Sequence, residues 1–348
     1  MKIDLLPQGV NWYRANFHSH TTLSDGRLTA EQVKDLYRSR GYAIVAYSDH
    51  ERFVPHPELD GPDFLALNAI ECAIGIDTDP IPSPPGTRLD WRHYRCYHFN
   101  LFALRRDVVA APLRKTIWGA QRNQFDGTDE EKAELAKFSY GKINDFLRVA
   151  REAGFLSQLN HPYWSLNTME DCLSLSDLWS LEILNWGTQR ETGAEYCPYI
   201  YDQMLWKYGP SLLCTMGDDN HNPPSLPPEE HCFGGSTFIG AKSLDYDAVT
   251  DAMARGDVFC ASGFNPPRFH ALWVEDGKVH AEFTPVSEAI YTGLGRVYHQ
   301  VRGTGLASAT FNLVDNDPFF RITLVDGEGN FAHTHAYAIR DEWRAKKQ

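Results

Sequence analysis

The stretch that decides the fold is Phe17-His18-Ser19-His20, with Ser24-Asp25-Gly26 shortly after it. Side chains alternate between the two faces of an extended strand, so imidazoles two residues apart point the same way. Both can therefore reach one metal ion, and Asp25 can add an oxygen ligand from the loop that follows. A His-x-His pair alone is a weak signal, and the interpretation depends on matching pieces further along the chain.

Matching polar residues recur beside apolar runs that are typical of buried strands. With the exception of His98, which opens its run, each lies at or just past the carboxyl end of a run. Ligands and chemistry gather at that end of the strands in α/β barrels. The pieces are Ser48-Asp49-His50 after 43–47, Glu71 after 64–70, His98 in 98–104, Asn160-His161-Pro162 after 155–159, and Asp218-Asp219-Asn220-His221 after 212–216.

In this order the motifs resemble those of the PHP family, the polymerase and histidinol phosphatase metallohydrolases. The family pattern is a His-x-His with a following Ser-Asp-Gly, an Asp-His pair, a Glu, a His, an Asn-His-Pro-like His and a final Asp-x-His. The resemblance covers roughly residues 12–262. It implies an α/β fold class with a distorted seven-stranded (β/α)7 barrel.

The resemblance also implies a site for three divalent metal ions. Asp219 rather than Asp218 matches the family's Asp-x-His, because it stands two residues before His221. Asp49 and Asp218, the candidate catalytic carboxylates, are expected to support the ligands, since ligating imidazoles usually donate their other N–H to a carboxylate or carbonyl. The implied ligand sets are His18, His20, Glu71 and Asp219 for one metal, Glu71, His98 and His161 for a second, and Asp25, His50 and His221 for a third.

The types of these side chains indicate the chemistry. Imidazole and carboxylate together suit manganese, iron and zinc, and the sets contain no thiolate. Glu71 could bridge two cations. A hydroxide shared between metals would be the nucleophile, because metal binding lowers the pKa of water from about 15.7 toward about 7.

Composition limits the substrate and the setting. The 348-residue chain has a net charge of −13, which disfavours nucleic acid as a substrate because phosphate backbones need basic surfaces. The seven scattered cysteines form no Cys-x-x-Cys pair, so they suggest neither a disulfide framework nor a zinc knuckle. No signal peptide or membrane-spanning run is apparent, so we expect a cytoplasmic protein that does not bind membranes. A homo-oligomer stays an open alternative.

The pattern of elements predicts two parts, residues 1–264 and 265–348. The first part begins with a strand over 12–17 and a helix that Thr29 and Gln32 cap with a capping box. Further strand–helix–strand units follow, with helices near 142–153 and 196–208. The second part is predicted to be a small antiparallel β-sandwich with a charged tail. Its hairpins are indicated by Glu275-Asp276-Gly277 and Asp326-Gly327-Glu328-Gly329.

Candidate substrate-binding residues stand near the ligands in sequence. An arginine can hold a phosphate through two parallel hydrogen bonds, and an aromatic side chain can stack on a ring. Two proline-rich insertions, Asp77 to Arg88 and 222–228, are expected to form stiff walls of the pocket. The candidates are Arg52, Arg88, Arg92, Arg95, Tyr163 and Trp164.

A second His-x-His, His333-Thr334-His335, serves as a contrast. It lies in the β-rich second part and has no acidic partner at the matching spacing. We expect these histidines on a solvated strand face, without metal.

The motif set predicts a metal-dependent phosphoesterase that hydrolyses a phosphate mono- or diester of a small, anionic molecule. A metal-activated hydroxide can also attack a carbonyl, so an ester, amide or carbamate hydrolase is the alternative. A non-catalytic metal-binding module would not need a shared carboxylate or open positions. An exonuclease is disfavoured by the negative charge.

Overall fold

The computed structural model describes residues 2–75 and 80–344, and these contain eight α-helices and sixteen strands. Residues 76–79 lie outside the described residues, and they include the start of the first proline-rich insertion at Asp77. Residues 345–348 of the tail also lie outside them. The strands are β1 (Ile3–Asp4), β2 (Asn11–Asn16), β3 (Ile44–Tyr47), β4 (Leu65–Ile74), β5 (Tyr97–Ala103), β6 (Phe155–Leu159), β7 (Ser180–Asn185), β8 (Leu213–Gly217), β9 (Gly235–Ala241), β10 (Val258–Ser262), β11 (Phe269–Glu275), β12 (Lys278–Thr292), β13 (Tyr298–Asn312), β14 (Phe319–Val325), β15 (Phe331–Thr334) and β16 (Tyr337–Ala338).

Helices or short 3₁₀ turns connect the successive strands from β2 to β10. The predicted capping box at the first helix is present, because the Thr29 hydroxyl accepts from Gln32 N while Gln32 Oε1 accepts from Thr29 N. Short 3₁₀ turns lie at Pro57–Leu59, Trp91–His93, Gly209–Ser211, Pro228–Glu230 and Asp341–Trp343. The helices are α1 (Ala30–Arg38), α2 (Ile117–Gln121), α3 (Asp129–Ala136), α4 (Tyr140–Glu152), α5 (Met169–Leu173), α6 (Trp186–Thr192), α7 (Pro198–Tyr208) and α8 (Tyr246–Arg255).

One mixed sheet connects all sixteen described strands. The half of it that ends at β8 has the order β9-β2-β3-β4-β5-β6-β7-β8. Pairs β2–β3, β3–β4, β6–β7 and β7–β8 are parallel, whereas β9–β2, β4–β5 and β5–β6 are antiparallel. The α/β class predicted from the sequence is therefore confirmed, although most strand pairs in the whole sheet are antiparallel.

The sheet curls but has no backbone ladder between its strands β8 and β9. These two strands meet instead through one side chain, because Thr237 Oγ1 accepts from Met216 N at 3.1 Å and donates to Met216 O at 3.0 Å. Gly235 permits this approach, since a Cβ atom there would stand 2.3 Å from Gly217 O. The resemblance implied a distorted seven-stranded barrel, and the described strands form a curled sheet that is not closed.

The strands after residue 264 are antiparallel, as expected, and continue the same sheet. Both predicted hairpins are present, joining β11 to β12 and β14 to β15. A separate hydrophobic core lies among these strands, with Phe283, Tyr291 and Phe320 fully or almost fully buried. The first strand of the chain belongs to this part, because Ile3 and Asp4 pair with β11.

A buried polar cluster links α7 to strands β14 and β15. Arg321, which is 6% exposed, donates to both carboxylate oxygens of Asp202 at 2.8 and 2.9 Å. His333 Nε2 lies 2.7 Å from the Tyr196 hydroxyl, and His333 is 2% exposed. The expectation of a solvated face at His333 is therefore wrong, because α7 and the residues before it cover this side of β15.

Among the residues that the structure describes, none of the helices is long and apolar enough to cross a membrane. All seven cysteines are free, and Cys214 Sγ and Cys260 Sγ lie 3.8 Å apart in the interior.

Thr237→Val should destabilise the protein by about 1–3 kcal/mol, because it leaves the buried Met216 N–H and C=O unpaired at the β8–β9 seam. Urea unfolding monitored by circular dichroism measures this. Thr304→Val on the exposed strand β13 is the matched control and should change the free energy of unfolding by less than about 0.5 kcal/mol. Equal effects of the two changes would contradict the role of Thr237 in joining β8 to β9.

Candidate metal centre

One end of the curled sheet brings all nine predicted ligands together. Several segments approach each other there as single parallel bridges, Ser19 with Asn220 and His50 with Glu71. The ligands stand directly after strands β2, β3, β6 and β8, within β4 and β5, and on the loop at Asp25. They are His18, His20, Asp25, His50, Glu71, His98, His161, Asp219 and His221.

Glu71 lies at the centre of the cluster and is fully buried. Each of its carboxylate oxygens faces a different set of imidazoles, and Asn160 Nδ2 donates to Oε1 at 2.9 Å. Glu71 is therefore placed to belong to two ligand sets at once. Oε2 lies 3.1 Å from His18 Nε2, 3.1 Å from His20 Nε2 and 3.2 Å from His50 Nδ1, and Oε1 lies 3.0 Å from His98 Nδ1 and 3.2 Å from His161 Nε2.

The first ligand set consists of His18, His20, Glu71 and Asp219. Asp219 Oδ1 lies 3.3 Å from His18 Nε2 and 2.9 Å from His20 Nε2. These two nitrogens, Asp219 Oδ1 and Glu71 Oε2 are buried and make no hydrogen bond to any described residue. Buried polar atoms are normally paired, so four unpaired ones facing each other fit the ligand shell of a cation.

The second set consists of Asp25, His50 and His221, as expected, with His20 in addition. Asp25 Oδ1 lies 3.3 Å from His221 Nε2, and Asp25 Oδ2 lies 3.8 Å from His50 Nε2. The Asp25 side chain is 55% exposed, so this set is the most open to solvent. An accessible position is what a catalytic metal site needs and a structural one lacks.

The third set groups Glu71 and His98 with His50. His161 was expected in this set and lies on the same carboxylate oxygen, where its Nε2 is also 3.7 Å from Asp219 Oδ2. The structure therefore places His161 between the first and third sets.

The electrostatics of the cluster show strong attraction for a cation. Burial alone would lower the pKa of His20, but Asp219 and Glu71 outweigh it and raise the pKa to about 9. The surrounding histidines hold the pKa of Glu71 and Asp219 well below the ordinary range despite their burial. Burial lowers the pKa of His50 to about 3, so its ring is neutral and able to ligate.

Backbone strain accompanies several ligands. His161 and Asp219 have positive φ angles of 24° and 54°, and the residues that follow His50 and His221 also do, Glu51 with 58° and Asn222 with 52°. Such conformations are costly for residues other than glycine and cluster at functional sites. Hydrogen bonds hold them, for example from Asp219 N to His18 O at 2.9 Å.

Asp49 and Asp218 are buried beside the cluster but bind other partners than the imidazoles. Asp49 accepts from Thr21 N, Thr21 Oγ1 and Ser24 Oγ at 2.7 to 2.8 Å, which holds the loop that carries Asp25. Asp218 accepts from Phe233 N and Gly235 N, both at 2.7 Å, and from the Tyr37 hydroxyl. Both carboxylates thus brace backbone segments that carry ligands.

Glu182 on β7 makes the contact that we expected of Asp49 and Asp218. It is fully buried, and its Oε1 lies 3.2 Å from His18 Nδ1. Its Oε2 accepts from His161 N at 3.1 Å and from Asn185 Nδ2 at 3.0 Å. A carboxylate behind a ligating imidazole fixes the ring orientation and tautomer. In the sequence, the signal for this role is a single acid within an otherwise uncharged, largely apolar strand.

Two glycines allow the close packing around the first set. A Cβ atom at Gly217 would stand 2.8 Å from Glu182 Oε1 and 3.0 Å from His18 Cβ. A Cβ atom at Gly26 would stand 2.4 Å from His20 O. Gly26 of the Ser24-Asp25-Gly26 motif is therefore needed for space.

The predicted substrate-binding arginines lie outside the ligand cluster. Arg52 and Arg88 are exposed and line neither of the cavities described below. Arg92 donates to both carboxylate oxygens of Asp90, and Arg95 donates to Asp171 at 3.3 Å. The structure thus gives Arg92 and Arg95 carboxylate partners within the chain.

The two predicted aromatic residues differ. Tyr163 is 53% exposed and lines neither cavity, whereas Trp164 lines both and packs against His98 and His161 with ring centroids 5.5 and 5.3 Å away. Buried Glu195 fixes the turn that carries them, accepting from Tyr163 N at 3.1 Å and from Trp164 N at 2.9 Å.

Two adjoining cavities open on the cluster, and His50, His98 and Trp164 line both. The smaller, of about 190 Å³, is the metal-facing cavity; its wall includes Asp25, His161, Asp219, His221 and His231. The larger, of about 450 Å³, is the side cavity; its wall includes Glu51, Trp91, Tyr94, Arg122 and Leu166. No motif in the sequence marks His231, Trp91 or Arg122 as a candidate for this site.

No protein-family model matches the sequence, and no curated protein matches it either. Solved structures do match. One is a two-domain protein from Bacteroides vulgatus described as containing a predicted PHP-like metal-dependent phosphoesterase. It is 13% identical with a TM-score of 0.46, and the match covers 97% of each chain.

Two further matches are shorter. One is a protein from Bifidobacterium adolescentis to which metal-dependent phosphoesterase activity has been attributed, with 16% identity, a TM-score of 0.40, and coverage of 70% of this chain and 96% of the other. The other is an amidohydrolase from Chromobacterium violaceum with bound sulfate and no metal, with 16% identity, a TM-score of 0.36, and coverage of 62% and 92%.

Glu182→Gln should weaken metal binding by about 10–100-fold, because His18 loses the carboxylate behind its Nδ1 while the side-chain volume is kept. Competition with a chelator of known affinity, read by metal analysis, measures this. Glu134→Gln on the exposed surface of α3 is the matched control and should bind metal as the wild type does. Wild-type affinity in the Glu182 variant would show that the contact does not support His18.

Glu195 should make stability depend on pH. Burial raises the pKa of Glu195 from its ordinary value near 4.5 to about 8. Between these values the folded state keeps a proton that the unfolded state releases, so the free energy of unfolding falls as pH rises. Glu195→Gln should flatten this decline in urea unfolding of metal-free protein between about pH 5 and about pH 8. The exposed control Glu134→Gln should keep the wild-type slope, and an equal slope in the Glu195 variant would refute the assignment.

Proposed function

We propose that this chain is a PHP-family metallohydrolase that hydrolyses phosphate esters of small molecules at a site for divalent metal ions. The observation that carries this is the first ligand set, in which four buried nitrogen and oxygen atoms face each other without hydrogen-bond partners among the described residues. The neighbouring sets favour three metals, and the mixed nitrogen and oxygen ligands suit manganese, iron or zinc. That the curled sheet is the distorted seven-stranded barrel of this family is part of the same proposal.

Divalent metals bound by these residues would supply a water of lowered pKa and positive charge for the developing negative charge of the transition state. The chain's own part is to hold those ligands in one arrangement. Glu71 contributes one oxygen toward His18 and His20 and the other toward His98 and His161. The rigid strand ends and the supporting carboxylate of Glu182 fix the rings, so little reorganisation is needed during the reaction.

The reaction itself is a simple hydrolysis. The oxygen of water forms a bond to phosphorus, the bond from phosphorus to the alcohol oxygen breaks, and the alcohol leaves with a proton that came from the water. His231 is placed to contact a phosphate oxygen or the leaving alcohol, because it lines the metal-facing cavity together with Asp219 and His221. Its Nδ1 is buried and has no hydrogen-bond partner among the described residues.

The metal-facing cavity suits a small anionic group rather than a nucleic-acid strand. It holds about 190 Å³, and the protein's net charge of −13 would repel a polymer of phosphates. A single phosphate ester would instead meet the local positive charge of the bound metals. These features favour a mono- or diester of a small molecule as the substrate.

Asp219→Ala should remove at least one metal per chain and lower kcat/KM by more than about 100-fold, because loss of a mere supporting partner already costs about 10–100-fold in metal sites. Metal analysis and turnover of a phosphate monoester and a diester, with manganese, iron or zinc added, measure both effects. Circular dichroism shows whether the fold is kept.

Asp247→Ala, which changes an exposed carboxylate on α8, is the matched control and should keep metal and turnover. If metal-loaded wild-type protein hydrolyses carboxyl esters or amides but no phosphate ester, the proposed phosphoesterase function is wrong and the enzyme is a carbonyl hydrolase. Near-normal turnover in the Asp219 variant would refute the site.

A further inference from the structure

The side cavity beside the metal cluster has a clear chemical character. Its wall contains the aromatic or aliphatic side chains of Trp91, Tyr94, Trp164 and Leu166. Its volume of about 450 Å³ lies within the range of cavities that hold small organic ligands. It continues from the metal-facing cavity at His50 and His98, which are both candidate ligands.

The charged residues of this wall are already paired with each other or with neighbours. Arg122 Nη2 donates to Glu51 Oε1 at 2.8 Å and to Ala73 O at 3.1 Å. Arg92 donates through Nε and Nη2 to the carboxylate of Asp90. Each guanidinium of this wall thus has a carboxylate beside it, so the wall offers little net charge to a charged occupant, and its aromatic and aliphatic surface favours an uncharged group.

The aromatic side chains form a continuous wall. The rings of Trp91 and Trp164 lie 6.4 Å apart with a tilt of 38°, and Trp164 contacts His98 edge to face. Trp91 is 66% exposed, although it is a large apolar side chain at the mouth of a cavity. A flat ring in the cavity would cover this surface and stack or pack edgewise against both indoles.

We propose that the side cavity binds an uncharged aromatic ring carried by the leaving alcohol of the substrate, while the ester phosphate lies at the metal cluster. This rests on the proposed function and narrows its substrate class to phosphate esters of ring-bearing alcohols. His50, His98 and Trp164 lie where the two cavities meet, and the bond to be broken is placed at this junction.

The test compares two phosphate monoesters on the metal-loaded enzyme, phenyl phosphate and a fluoroalkyl phosphate whose alcohol has similar acidity. We expect kcat/KM to be about 10-fold higher for the phenyl ester, since such preferences follow from a few aromatic contacts. Trp91→Ala should lower this aryl-to-alkyl ratio toward one. Because Trp91 is largely exposed, the fold should tolerate the change.

Trp206→Ala is the matched control, since Trp206 is a 46% exposed tryptophan on α7 that lines neither cavity. It should keep the wild-type ratio. Calorimetric titration of the metal-loaded protein with phenylphosphonate and methylphosphonate measures the same preference without chemistry. Phenylphosphonate should bind more tightly, and Trp91→Ala should reduce the difference.

An aryl-to-alkyl ratio near one in the wild type, or one that Trp91→Ala leaves unchanged, would overturn the assignment of the side cavity while the phosphoesterase function stands. Absence of any phosphate-ester turnover together with hydrolysis of acetates would instead overturn the proposed function. In that case the aryl-to-alkyl ratio of kcat/KM is measured with phenyl acetate and a fluoroalkyl acetate of similar leaving-group acidity. This ratio tests the assignment of the side cavity independently of the phosphoesterase function.

Discussion

The carboxylate of Glu71, fully buried and within 3.2 Å of nitrogens from five histidines, is the interaction around which this end of the molecule is built. A lone carboxylate in such a place would be costly, because burial in a low-dielectric interior disfavours its charge. Opposite charge must surround it. Imidazolium rings can provide that charge in the metal-free protein, and divalent cations provide it more strongly, which explains why so many uncommitted ligand atoms point at one region.

The neighbours of Glu71 depend on a second layer of contacts. Glu182 faces His18 from behind, Asn160 holds Oε1 of Glu71, and Asn185 Nδ2 lies 3.2 Å from Asp219 Oδ2. Asp49 and Asp218 hold the loops instead of the rings. The positive φ angles at His161 and Asp219 are stable only because these contacts determine the backbone around them. These contacts hold the cluster in one arrangement, which is what preorganised catalysis requires.

The sheet that positions the cluster is continuous with the antiparallel strands that follow it. Strand β9 pairs with β2 on one side and with β10 on the other, and β10 pairs with β15 of the later strands. The buried pair of Arg321 and Asp202 connects the same strands to α7. The later strands therefore complete the support of β9 and β10, and the curled half of the sheet does not stand alone.

Local patterns in the sequence predicted many of the secondary-structure elements and the candidate metal ligands. The capping box at Thr29, the two hairpins and each short ligand motif involve residues close together in the chain, where spacing dictates geometry. The other contacts depend on residues far apart in the chain. The pairing of His18 with Glu182 spans 164 residues, and the burial of His333 depends on Tyr196, 137 residues away. No local spacing encodes such contacts. For the same reason only the folded chain shows that Arg95 pairs with Asp171, that Trp91 and Trp164 line one cavity, and that the sheet stays open between β8 and β9.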